Sequence, residues 1–406
     1  MRSLPLALVA SAVASLAAAA PPEPIALVNA SVVDVRTGRV SSGATVVLRG
    51  GRIESVAPGP APAGVKVLDL RGRYLLPGLI DAHTHLATLR AARTALESGV
   101  TTARSSGTSS YADVGLRELA RKGAIDGPDI VASGYHVRPN VAEEAFLGDP
   151  SLSDMMSGVD TVDEIRRMVR ANLAHGVDFI KVLATERAGT ADTDPRKQVY
   201  TEAELRALVE EAASKGVPVQ AHAHGDEGAR AAVRAGVRSI EHGTYLSDET
   251  LALMKERGTY FVPTYTTVLD LVEPGGDYDI PALHLRGQHM LPRIRHAVQR
   301  AHALGVKIVT GADTGYGPNS VTRISQEVVN LVELGLTPLE AVQAATVTAA
   351  ELLRLEKTTG AVEAGLEADL VVVDGNPLQD PGVLRDPLLV VSNGRVAVNR
   401  LEMAKP

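Results

Sequence analysis

The sequence predicts an α/β fold: a TIM (β/α)8 barrel carrying a small β-sandwich assembled from both chain ends. Three observations predict it. Between residues 77 and 358 the pattern runs strand, loop, helix, repeated, and the short apolar strands number eight. On either side of that stretch, β-branched runs alternate with turn signals and show no helical period. Finally, 45% of the 406 residues are hydrophobic but only 3% are aromatic, with no Trp, so packing rests on the branched aliphatics that layer a barrel interior.

Residues 1–20 read as a secretory signal peptide. Met1-Arg2 precedes an apolar run from Leu4 through Leu16, and four alanines ending at Ala20 lead into Pro21-Pro22. Cleavage after Ala20 is expected, leaving an exported chain, periplasmic or secreted, with no membrane association after cleavage. No cysteine is present, so a metal site here has to be built without thiolates. The formal charge of −7 disfavours nucleic acid or an anionic membrane surface as a partner.

Residues 21–76 hold Val32-Val33-Asp34-Val35, Ala44-Thr45-Val46-Val47-Leu48 and Ile53-Glu54-Ser55-Val56, separated by Thr37-Gly38 and Gly50-Gly51. These are short antiparallel strands of the sandwich. Residues 359–406 supply the rest, with Leu370-Val371-Val372-Val373 and a hairpin turning on Asn393-Gly394. Neither end has enough apolar surface to stand alone.

The barrel spans residues 77–358. Its strands are expected at 80–85, 101–104, 130–133, 179–182, 217–222, 239–242, 260–263 and 306–312. Capping boxes at Thr161/Glu164, Thr201/Glu204 and Thr337/Glu340 start helices, and Gly176, Gly216, Gly258 and Gly305 end them. The rival architecture, an open doubly wound sheet, would carry a Gly-x-Gly-x-x-Gly turn after an early strand, and none occurs there.

Barrel enzymes place reacting groups at the carboxyl ends of strands, so the polar residues that close apolar runs carry the argument. His83 and His85 stand at i and i+2 and face the same way on a strand. Neutral imidazole is a common zinc ligand, although composition alone yields about 0.3 His-x-His pairs in a chain like this. Lys181, His222, His242 and Asp313 close four further strands. Taken singly, Lys181 reads as a barrel lysine paired with a carboxylate and Asp313 as a loop cap. Together they point at one mouth.

This set, with the closing segment from Leu336-Thr337-Pro338 to Ala368-Asp369-Leu370, resembles the amidohydrolase superfamily. Within it, the chain is most similar to the imidazolonepropionase-like group, which includes exported Xaa-Pro and Xaa-Arg dipeptidases, carboxypeptidases and ochratoxin amidases. The resemblance covers nearly everything after the signal. It implies that His83, His85 and Asp313 bind one divalent ion, that His222 and His242 bind a second, and that Lys181 bridges both as a CO2-derived carbamate. Zinc is the expected metal, although manganese and cobalt suit the same donors. A lysine ammonium, with a pKa near about 10.4, cannot bind a metal, whereas its carbamate offers two oxygens. Asp313 is then the catalytic residue, taking a proton from activated water and passing it to the leaving amine.

Departures from the family pattern bear on substrate. Arg104-Ser105-Ser106 lacks an aspartate usual at Ser105, and Gly134-Tyr135-His136-Val137-Arg138-Pro139 stands where Gly-Gly-His is common. Glu186-Arg187 replaces a Gly-Gly, and Ser325 replaces a histidine. Tyr135, His136, Arg138 and Tyr265 are candidates for gripping a substrate carboxylate, while His224 either lines the pocket or is spare. The expected function is cleavage of an amide or peptide bond in a small carboxylate-bearing substrate: a dipeptide, an N-acyl amino acid or an ochratoxin-like amide. Two alternatives keep the site: a lactonase or phosphotriesterase, and an inactive binding protein. Imidazolonepropionase itself is disfavoured by the signal peptide, and nucleobase deamination by both the signal and Lys181. The sequence leaves the oligomeric state open, a homo-oligomer included.

Overall fold

A computed structural model describes residues 21–139, 149–155, 158–318, 320 and 322–402. The expected signal peptide at 1–20 lies outside the described residues. Strands from both chain ends share one sheet. From the N-terminal side come β1 (Ile25–Val33), β2 (Val40–Arg49), β3 (Arg52–Pro58), β4 (Lys66–Asp69) and β5 (Tyr74–Pro77). Its order is completed by β13 (Leu370–Val373), β14 (Leu389–Ser392) and β15 (Arg395–Asn399), giving β15-β14-β13-β5-β1-β2-β3 with β4 on β1. Gly50-Gly51 and Asn393-Gly394 turn the two hairpins with positive φ at both positions, the backbone that matches strand twist. The inward face is aliphatic: Leu27, Val46, Leu48, Ile53, Leu75, Leu370 and Leu389. The strand pairing thus gives one mixed sheet where two facing sheets were expected.

The central region carries seven parallel strands among the described residues. β6 (Leu79–Thr84), β7 (Val100–Ser105) and β8 (Asp129–Ala132) form one sheet; β9 (Ile180–Leu183), β10 (Val219–Ala223), β11 (Ser239–His242) and β12 (Tyr260–Val262) form another. Single bridges join the two sheets at both seams: Val137 to Val182 on one side, Phe261 to Ile308 and Thr84 to Thr314 on the other. The expected eighth strand, 306–312, is therefore a bridging segment without a ladder. Its donors are divided: Val309 N reaches Phe261 O on β12 at 2.9 Å, whereas Thr310 N reaches Ala344 O at 3.0 Å and Ala312 N reaches the Asp81 carboxylate at 3.0 Å. Backbone hydrogen bonds have to be satisfied, and here a helix end and a side chain share that task with the neighbouring strand β12.

Helices connect the strands. All three capping boxes form, with Thr161, Thr201 and Thr337 accepting from the backbone of Glu164, Glu204 and Glu340. Left-handed glycines at 176, 216, 258 and 305 turn the chain after the helices. Among the described residues no helix is long and apolar enough to cross a membrane.

Candidate metal centre

The carboxyl ends of β6, β9, β10 and β11 and the 306–312 segment deliver His83, His85, Lys181, His222, His224, His242 and Asp313 to one cavity. Lys181 and His83 are 2% and 1% exposed, so these groups sit in a low-dielectric wall. Two residues hold unusual backbone to do so. His242 has φ of 70° and Asp313 of 49°, a region that costs a side-chain-bearing residue about 1–3 kcal/mol and persists where surrounding structure imposes it. Close approach is needed as well: a Cβ on Gly311 would lie 2.7 Å from the His83 Cβ.

Each histidine has one nitrogen committed outward. His83 Nδ1 meets the Glu241 carboxylate at 2.8 Å, and His85 Nδ1 donates to Gly107 O at 3.0 Å. His224 Nδ1 pairs with Thr244 Oγ1 at 2.8 Å, and His242 Nδ1 with Thr264 Oγ1 at 2.6 Å. These four leave Nε2 as the nitrogen with no partner outside the cluster of Lys181, Asp313 and the histidines. His222 is the reverse, since its Nε2 donates to Glu186 O at 3.1 Å, which leaves Nδ1. An outer partner of this kind fixes both tautomer and ring orientation in metal-binding histidines.

Burial keeps the four buried rings neutral. Burial lowers His83 to about 4 and His224 to about 3, and pushes His222 and His242 well below the usual histidine value. Burial also lowers Lys181 to about 8, although Glu241 and Asp313 oppose it. For Asp313, burial raises the carboxyl, but the neighbouring His83, His85 and Lys181 outweigh it and hold it below the ordinary carboxylate range. Asp313 Oδ1 lies 3.1 Å from His85 Nε2 and 3.4 Å from His83 Nε2, and Lys181 Nζ is 3.4 Å from His83 Nε2.

Two overlapping donor triads result: His83, His242 and Asp313, and His222, His224 and His242, each with its ligand atoms within 4.8 Å of one another. Borderline-soft nitrogen donors plus one carboxylate suit a first-row divalent ion. His224 therefore belongs to the pocket, its ring stacked 4.6 Å from that of His242. His136 also lines the cavity, tied to Ser106 O. The other three residues expected to grip substrate do not line it. The Tyr135 hydroxyl accepts from Ser110 N at 2.7 Å, and the Tyr265 hydroxyl accepts from Arg295 at 3.1 Å. Arg138 lies beyond the β8 end, outside the lining.

Sequence reading missed Glu241. Fully buried, its carboxyl would be raised by burial, but Arg104 at 3.0 Å and His83 draw it down to about 2. The signal was available: Arg104 and Glu241 are opposite charges within short strands of the apolar barrel region, a pattern that burial allows when the two pair. Arg187, Tyr278 and Thr267 also line the cavity and were not anticipated there.

The amidohydrolase family model matches residues 74–397. The chain belongs to the amidohydrolase family. It is 30% identical to ochratoxinase from Aspergillus niger over 354 residues, covering 78% of this chain and 73% of that one. Among solved structures it is similar to an Xaa-Pro dipeptidase with methionine in its active site, at a TM-score of 0.82 and 29% identity over 92% of this chain and 99% of the other. A prolidase complexed with N-methylphosphonate-L-proline matches at a TM-score of 0.80 and 28% identity, again over 92% and 99%. Amidohydrolases are generally metal-dependent, which agrees with the His-rich donor set.

Proposed function

We propose that this chain, by family a hydrolase of amide or peptide bonds, is an exported binuclear enzyme acting on a small substrate with a free carboxylate, such as a dipeptide or N-acyl amino acid. The observation that carries this reading is the placement of five imidazoles, four buried and His85 partly buried, each with one nitrogen tied to a partner outside the cluster and the other turned into it, around one carboxylate. His83, His85 and Asp313 would hold one ion and His222 and His242 the other, with Lys181 carboxylated between them. A lysine lowered to about 8 holds an appreciable neutral fraction near neutral pH, the form that combines with CO2. Bound divalent metal, zinc in this reading, supplies an acidified water and a polarised scissile carbonyl.

The chain's own groups do the rest. Asp313, ionised and 3.1 Å from His85 Nε2, accepts the proton of the attacking water and delivers it to the leaving nitrogen. Val268 and Leu271 give the cavity an apolar wall that limits competing water. The relatives named ochratoxinase, Xaa-Pro dipeptidase and prolidase support an amide over an ester bond. For the scaffold, the seam bridges support a barrel closed through 306–312 and Val137, and the aliphatic face of the terminal sheet supports its folding over as the small sandwich.

Metal analysis and a kinetic screen on one sample test the proposal. Two ions per chain, a carbamate resonance from 13C-bicarbonate and turnover of dipeptides or N-acyl amino acids are expected. Turnover confined to lactones or phosphotriesters would overturn it. N-terminal sequencing of protein recovered outside the cytoplasm should begin at Pro21.

A further inference from the structure

We propose that Arg187 is the anchor for the substrate's free carboxylate, an inference that rests on the amide-hydrolase reading above and names the group that selects its substrates. Arg187 follows β9, the strand that carries Lys181, and lines the same cavity wall as Lys181, His222, Tyr278 and Asp313. It is half-buried. Its guanidinium has no hydrogen bond or ion pair among the described residues, which sets it apart from the charged groups around it.

Those neighbours are all engaged. Glu186 accepts from Lys197 at 2.7 Å and from Asp194 N at 2.9 Å, so the adjacent carboxylate faces away from Arg187. Asp194 in turn pairs with Arg196 at 2.9 Å. Within the cavity lining, Asp313 is the one carboxylate, and it is held by His83 and His85. A guanidinium set in the wall of a metal cavity without a counter-ion of its own is matched in charge and in its planar fork to a bidentate carboxylate.

The backbone on both sides of Arg187 is pinned, so the side chain is presented from a rigid base. His222 holds Glu186 O at 3.1 Å, and Thr193 Oγ1 donates to the carbonyl of Arg187 itself at 2.5 Å. Arg286, on the helix Pro281–Leu304, donates to Ala188 O at 2.6 Å, Thr190 O at 2.5 Å, Ala191 O at 3.1 Å and Thr193 O at 2.5 Å. Gly189 lets the Tyr278 ring close over this turn, where a Cβ would sit 2.8 Å from the ring. Asp313 and burial raise the Tyr278 phenol, which stays protonated and able to donate beside the guanidinium. A preorganised donor pair loses little entropy on binding, which is what a specificity anchor requires.

The test compares Arg187→Met and Arg187→Lys with wild type on an N-acyl amino acid and on the matched carboxamide, which lacks the charge. Arg187→Met is expected to raise KM and lower kcat/KM for the acid by at least about 30-fold, with the carboxamide unchanged within about twofold and Arg187→Lys in between. Metal content and Tm should match wild type. Equal losses on both substrates, or no loss on either, would overturn the anchor while leaving the hydrolase reading intact. Calorimetric binding of N-acetyl-L-leucine and its amide reads the same site without turnover. Wild type that prefers the amide, or binds both alike, overturns the anchor even if no amide is cleaved, and absence of amide cleavage alone sinks the hydrolase reading.

Discussion

The two ends of the parallel strands carry buried ionisable clusters of opposite kinds. At the amino end, Asp129 opens β8 beside Glu367 and Asp369, three carboxylates whose oxygens lie within 4.8 Å of one another. At the carboxyl end, imidazoles and one carboxylate meet the same distance criterion. The difference lies in what is left over. Asn393 donates its backbone N to Asp369 at 2.9 Å and its side chain to Asp129 at 3.1 Å, and Thr359 donates to Asp369 at 2.9 Å. Asn393 sits in the β14–β15 turn, so this cluster fastens the parallel strands to the terminal sheet. At the other end the outward nitrogens are satisfied and the inward lone pairs face a cavity. Burial of charge alone does not mark a site; donors left without a partner in a concave wall do.

The strongest way to break this contrast is Asp313→Ala. It should lower kcat/KM for amide hydrolysis by about 10²–10⁴-fold with little change in Tm, whereas Asp369→Ala at the other end should move Tm and spare turnover of the folded fraction. Retained activity in Asp313→Ala would place the chemistry elsewhere. Next in size, Glu241→Gln removes the charge that orients His83 and balances Arg104. Metal affinity, read by chelator competition, should fall about 10–100-fold, and unchanged affinity would reduce Glu241 to a structural role. Gly311→Ala drives a Cβ against His83 and Val262, and a loss of about 1–3 kcal/mol in urea denaturation is expected, with metal loading impaired.

The smallest effect is in pH. Burial, then Asp129, raises Asp369 to about 8, well above the roughly 3.9 of an unfolded chain. The folded state thus holds a proton that the unfolded state releases, and the stability this gives below the unfolded value is lost as pH rises through about 8. Buried histidines, lowered in the fold, stop contributing a slope above about pH 6.5. Between about pH 6.5 and 7.5, below the range in which the lowered Lys181 adds an opposing slope, Tm should therefore decline in wild type and decline less in Asp369→Asn. Parallel profiles would show that Asp369 is not the proton binder.

The strand order of the parallel region and the cavity-lining His, Lys and Asp residues were legible because both leave periodic marks. An apolar run that ends in His, Lys or Asp sets an ionisable group at the carboxyl end of its strand, where barrel sites form. The place of the eighth segment was legible but not its broken ladder, because Thr310 N and Ala312 N go to Ala344 O and Asp81, partners that no local pattern announces. Tyr135 and Tyr265 are expected to grip substrate, yet their hydroxyls are taken by Ser110 N and Arg295 instead. Glu241 was passed over because it stands beside His242, which by itself accounts for a polar break in the apolar run. Loop composition showed that Glu186-Arg187 was unusual but not which way either would face; that required the ties to Lys197 and Arg286.

β13 lies against β5, so Leu370 pairs with Pro77 and Val373 with Tyr74 across nearly the whole chain. A ribosome emits the first of these strands long after the second. Until the last strands emerge, β5 presents an unpaired edge of the sort that recruits other chains. Products truncated before Leu370 should accordingly clump during synthesis, even with every histidine of the cavity already made.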